Sequence, residues 1–304
     1  MHTVPSTGPN GVVISREALM RQYRAFTKTL QSTTMIDKVH IMAERHNFDS
    51  VRPADQLVSI GSTFLGMPHA GMEHRMSEML ETSRYIRIAG GPSASSSYLQ
   101  DAEGCRCSSG DVVVLPTGVA IGHGPRTNMA AHQVFKQLFE VKDQHAGYDV
   151  FTLEQEGDAP PLGDYFGFAG NNVLLTWKDE HGMLAVDQYQ ALRPNDTLQV
   201  VYLEPGCHFL SFYGTDTCND VIVQRGYDRS IESLAAAGLN PIPVQWSEMD
   251  KMGVSMRSAV LLLRFLKVSL GSVQTKSKVK ATRWAQHQLT GVSSTDFATT
   301  PPQA

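Results

Sequence analysis

Residues 104–128 read Gly-Cys-Arg-Cys-Ser-Ser-Gly-Asp-Val-Val-Val-Leu-Pro-Thr-Gly-Val-Ala-Ile-Gly-His-Gly-Pro-Arg-Thr-Asn. A small, polar lead-in ends at Asp111, and residues 112–122 then form an apolar, β-branched run of the kind that packs on a pleated sheet. Comparable runs at 57–66, 172–177, 220–224 and 258–265 are further strand candidates. Helix-like stretches lie between them at 73–82, 129–139, 185–192 and 230–237, the last stopped by Gly238 and followed by Pro241. Strand and helix alternate, so the chain is α/β. Units recurring every roughly 35 to 60 residues point to a repeated supersecondary module arranged about an axis.

The 104–128 stretch resembles the hairpin of dimethylarginine dimethylaminohydrolase, where Gly-Gly-Asp-Val leads to a strand and then to Arg-Thr-Asn. Residues 241–265, opening Pro-Ile-Pro-Val-Gln-Trp-Ser-Glu-Met-Asp-Lys-Met, resemble that family's last module, in which Ser-Glu and a basic residue precede the strand carrying the nucleophile. Weaker similarity at 55–71 and 165–177 falls in the same order. The resemblance implies the pentein fold, an α/β propeller of five ββαβ-like units around a pseudo-fivefold axis with the active site in the central channel. It spans residues 11–266, leaving 1–10 as an N-terminal extension and 267–304 as a C-terminal tail.

In that family a cysteine thiolate attacks the guanidinium carbon, a histidine shuttles protons and acidic residues hold the cation. The carbon is a poor electrophile, so a strong nucleophile is required, and the leaving amine must be protonated. This chain lacks both groups. The nucleophile falls near Ser258, and no cysteine follows Cys218. The histidine falls at Pro161, and none lies between His145 and His181, so no shift of alignment restores it. Loss of members of a catalytic unit lowers rates by about four to six orders of magnitude.

The acid pair becomes Ala54-Asp55, while Asp111 and Arg126 keep their places. In the family the arginine grips the substrate's α-carboxylate with its planar fork of donors. Asp55, Asp111 and Arg126 are therefore the candidates for residual ligand binding, and Asp111 and Arg126 are equally the buttresses of the turn at 122–128.

Composition bounds the partners. A formal net charge of -4 over 304 residues excludes nucleic-acid binding through a broad basic face. The longest apolar runs, such as 259–263, fall far short of the roughly 20 residues of a membrane span. Four cysteines, Cys105, Cys107, Cys207 and Cys218, fit a reducing compartment. Cys105-x-Cys107 beside His123 lacks the second ligand pair of a structural metal site, and Gly90-Gly91-Pro92 lacks the Lys of a phosphate loop. No metal or cofactor is expected.

Residues 1–36 hold one acid, Glu17, against Arg16, Arg21, Arg24 and Lys28, and Leu19, Tyr23, Phe26 and Leu30 share a helical face. The segment reads as a mitochondrial transit peptide or as a first strand, 11–15, with a helix, 16–31, after it. The polar tail 271–304 offers only Trp284, Leu289 and Phe297 as partner-binding anchors.

Three functions remain. The first is a catalytically inactive accessory subunit of a larger protein assembly, mitochondrial or else cytoplasmic. The second is a binding module for an amino acid or guanidino compound. The third is a guanidino hydrolase or amidinotransferase with a substituted nucleophile.

Overall fold

A computed structural model describes residues 11–33, 36, 39, 53–55, 57–60, 63–66, 82, 84, 86, 104–116, 118–141, 149–170, 172–212 and 219–261. The chain divides into two units, Met1–Phe265 and Leu266–Ala304, and every described residue belongs to the first. The helix expected at 73–82 (Thr82 apart), the loop at 90–92, Cys218 and the anchors Trp284, Leu289 and Phe297 lie outside the described residues.

Helix α1 (Arg16–Ser32) starts where the Ser15 hydroxyl accepts from the Ala18 N–H. Its buried residues Leu19, Phe26 and Leu30 recur at the spacing of one helical face. That face packs against Trp246, Met249 and Val254, so the segment is a core helix of the fold. The strand expected at 11–15 shrinks to a single bridge at Val13.

Next comes a hairpin of β1 (Leu57–Ile60) and β2 (Thr63–Gly66), paired antiparallel. β3 (Val112–Leu115) and β4 (Gly118–His123) form a second hairpin, and helix α2 (Met129–Val141) returns the chain to β5 (Asp149–Glu154), parallel to β4. The same pattern repeats twice. The short helix α3 (Leu162–Tyr165) leads into β6 (Phe166–Ala169) and β7 (Val173–Trp177), which are followed by α4 (Glu180–Leu192) and β8 (Gln199–Leu203). Then come β9 (Phe209–Ser211), β10 (Asp220–Gln224), α5 (Asp228–Ala236), β11 (Asn240–Val244) and α6 (Ser247–Lys251). In each three-stranded sheet the second strand of the hairpin lies in the centre, antiparallel to the first and parallel to the third. The fold is therefore mixed α/β, built on small sheets.

The sequence differs from this in instructive places. The runs at 57–66 and 112–122, each a single strand candidate by composition, are hairpins, and at 112–122 this agrees with the hairpin that the resemblance implies. The turn into β4 brings backbone against backbone: a Cβ on Gly118 would lie 2.2 Å from the Asp149 carbonyl oxygen. The strand expected at 258–265 does not begin at Ser258. There the Ser258 N–H donates to the Ser255 hydroxyl, the Ser258 hydroxyl donates to the Ser255 carbonyl, and Ala259 N–H bonds the same carbonyl. These local bonds satisfy the groups a ladder would use and hold a turn.

β11 was hidden by Pro241 and Pro243, which do not donate to a ladder. It is an edge strand, parallel to β10. Asn240 and Val244 bond across to the 219–225 side, so the alternate prolines face the outer edge, where no donor is needed.

Candidate functional site

Four segments at strand ends meet beside these sheets. The turn Pro53–Asp55 precedes β1, the turn Ser109–Asp111 precedes β3, residues 159–164 precede β6, and 255–258 follow α6. Ala54 N–H donates to the Ser258 carbonyl at 3.1 Å. The 53–55 turn touches the 109–111 turn, and a Cβ on Gly110 would stand 2.9 Å from the Pro161 Cβ. Ala54, Asp55, Asp111, Pro161 and Ser258, distant in sequence, are thereby linked through one chain of contacts.

Asp111 is fully buried. Its carboxylate accepts from Arg126 Nε (3.3 Å) and Nη2 (3.1 Å), from the Thr127 hydroxyl (2.9 Å) and from the Leu162 N–H (3.2 Å). Arg126 also donates through Nη1 to the Ala159 carbonyl (2.8 Å) and through Nη2 to the Pro160 carbonyl (2.9 Å). The ion pair thus clamps the 159–162 segment to the 109–111 turn. Of the three charged groups that the resemblance kept for a ligand, Asp111 and Arg126 are spent on each other, on Thr127 and on backbone.

Sequence reasoning missed a second cluster. Asp164, half-buried by area but enclosed by neighbouring groups, has its carboxyl raised above the usual range by burial; the Ser255 hydroxyl and the charges of His208 and Arg257 oppose the rise. The Arg257 side chain lies on Gly163, where a Cβ would come 2.3 Å from its Nε, and Nη2 donates to the Val112 carbonyl. His208 Nε2 pairs with Asp250 at 3.0 Å, and its Nδ1 is buried with no hydrogen-bond partner among the described residues. The available signal was Gly163, since a glycine inside a helical turn marks close approach by another group.

The thiols sit elsewhere. Cys107 is buried, and burial pushes its thiol well above the ordinary range. Burial likewise raises Cys207 to about 12. Both shifts oppose formation of the thiolate that attack on a guanidinium carbon demands.

Repeated ββαβ sheets with loop segments meeting at their ends give a mixed α/β fold of the kind seen in dimethylarginine dimethylaminohydrolase and related pentein structures. Among solved structures it is similar to a cysteine-to-serine variant of dimethylarginine dimethylaminohydrolase from Pseudomonas aeruginosa complexed with citrulline, at 18% identity and a TM-score of 0.64 over 85% of this chain and 93% of that one. It is also similar to the N-terminal domain of ArgZ, a cyanobacterial arginine dihydrolase, at 16% identity and a TM-score of 0.62 over 83% and 90%. The chain belongs to the RNA-editing substrate-binding complex 5 protein family, whose family model matches residues 1–267. No curated protein matches it.

Proposed function

We propose that this chain is a catalytically inactive relative of dimethylarginine dimethylaminohydrolase that serves as an accessory subunit of a larger protein assembly. One observation carries the reading: Asp111 and Arg126 satisfy each other inside a site whose nucleophile and base positions are Ser258 and Pro161. A buried carboxylate with four donors has none of its capacity left for a substrate cation. The family name, RNA-editing substrate-binding complex 5 protein, supports membership of a multi-protein complex. In this reading the three ββαβ sheets, the β1–β2 hairpin and the chain's ends make up five units around an axis, with the domain ending near residue 266. A mitochondrial location is part of this proposal and rests on the family name, because α1 packs in the core; imaging a tagged full chain in the cytosol alone sinks that part.

Incubating the purified chain with arginine and with dimethylarginine tests inactivity. Citrulline formation stays below about 0.01 per second, far under the usual enzymatic range. Faster turnover refutes inactivity. Purification of the native protein tests the subunit role, which a monomer refutes.

A further inference from the structure

The three ββαβ sheets each end in a parallel third strand, and each treats its outer edge differently. In a parallel pair, residues along a strand turn their N–H and C=O alternately to one side and the other. On β5, Glu154 faces outward, and Gln188 of α4 covers it, donating to its carbonyl (3.1 Å) and accepting from its N–H (2.6 Å). On β11 the outward positions are Pro241 and Pro243. β8 has neither device.

Gln199 N–H bonds the Asn172 carbonyl (3.0 Å) and the Leu203 carbonyl accepts from Lys178 N–H (2.7 Å), so the odd positions of β8 face β7. Val200 and Tyr202 therefore point their N–H and C=O away from the sheet, and neither has a partner there among the described residues. Only at the far end is the edge closed, where Glu204 N–H donates to the Ser230 hydroxyl at 2.8 Å.

This edge opens on a groove of about 850 Å³ lined by seven consecutive residues, 199–205. Side chains of a strand alternate between faces, so an unbroken run can line one groove only through its backbone edge. The opposite wall is a face of α5 that includes the short residues Ser233 and Ala236. Lys178 and Arg229 stand exposed at the Leu203 end, and neither has an ion-pair partner among the described residues. The nearby Glu204 carboxylate is committed to Ser230, at 3.2 Å from both its N–H and its hydroxyl.

We infer that the β8–α5 groove receives an extended segment of a partner protein, added to β8 as a fourth strand, with an acidic residue held by Lys178 and Arg229. Strand addition supplies affinity through main-chain hydrogen bonds, and the charged end fixes register. Charge complementarity excludes this chain's own tail from a second copy, because residues 271–304 carry Lys276, Lys278, Lys280 and Arg283 against Asp296 alone.

The inference rests on the subunit reading, and amide hydrogen exchange on the full chain, free and in its native assembly, separates the two. The Val200 and Tyr202 amides should exchange at least tenfold more slowly in the assembly, with protection surviving ribonuclease. Lys178→Glu combined with Arg229→Glu, both on the surface, should abolish that protection and leave the melting temperature unchanged. Tyr202→Pro, which removes one outward donor at an exposed position of an edge strand, should abolish the protection of the Val200 amide. A photo-crosslinker at Ser233 should capture a partner segment containing Asp or Glu. If the assembly forms while the Val200 and Tyr202 amides stay unprotected, the groove is wrong and the subunit reading stands. Protection lost to ribonuclease, or a crosslink to a second copy, a basic segment or nothing, also overturns the inference. If no assembly co-purifies, both readings fall.

Discussion

Asp111 and Arg126 form a pair that ties two separate segments of the chain together. Arg126→Ala leaves the Asp111 carboxylate buried and short of two donors, and loss of one partner from a buried pair costs about 3–5 kcal/mol. Arg126→Lys should recover little, because an ammonium lacks the fork that serves Asp111 and two carbonyls together; urea denaturation of both variants checks this. Asp164 gives the pH signature. Its folded pKa is raised above the ordinary 3.8, so its contribution is full below that value and is lost as pH rises through the folded pKa. Asp164→Asn should therefore melt higher than wild type at pH 7, with the gain gone below pH 3.8. Of these residues Asp111, Arg126, Pro161 and Ser258 were legible in the sequence, because each sits in a quotable motif. The Asp164–Ser255–Arg257 cluster was not, because its members meet only through packing on Gly163.

Among the elements, runs of consecutive apolar residues were easy to find and their subdivision was not. Residues 112–122 divide at Pro116 and Gly118, where proline ends β3 and glycine permits approach to the Asp149 backbone. β5 and β8 escaped notice because edge strands half-exposed to solvent lack a continuous apolar run. α4 begins five residues before the expected 185, because Asp179 caps it by accepting from the Gly182 N–H at 2.8 Å. The contact between α1 and α6 is the most testable at this scale. The Glu248 carboxylate accepts from Ser15 N–H (2.8 Å) and from Lys251 Nζ (2.7 Å), and the Glu248 N–H donates to Gln22. Burial works against its ionised form, yet Lys251 and the Ser15 N–H win, and its carboxyl sits below the ordinary value. Glu248→Ala should cost about 1.5–3 kcal/mol, as loss of a charge-assisted bond does, and α1 amides should lose exchange protection first.

For the whole molecule, the central expectation is that the tail works outside the domain. Truncation at Leu270 should leave the melting temperature unchanged while co-purification falls, and Trp284→Ala in the full chain should weaken assembly by more than about 1 kcal/mol. A large drop in melting temperature on truncation puts the tail in the core instead, and unchanged co-purification removes it from the interface. Each ββαβ sheet closes within a short span of sequence, whereas α1 must find residues 244–256, more than 200 positions downstream. That separation has a consequence in time. At roughly 5–20 residues per second the ribosome needs on the order of ten to fifty seconds to deliver the partners of Leu19, Phe26 and Leu30. Throughout that wait the amphipathic stripe is bare, available to a chaperone or a translocase, and burial of its apolar face on Trp246 marks the arrival of residues 244–256.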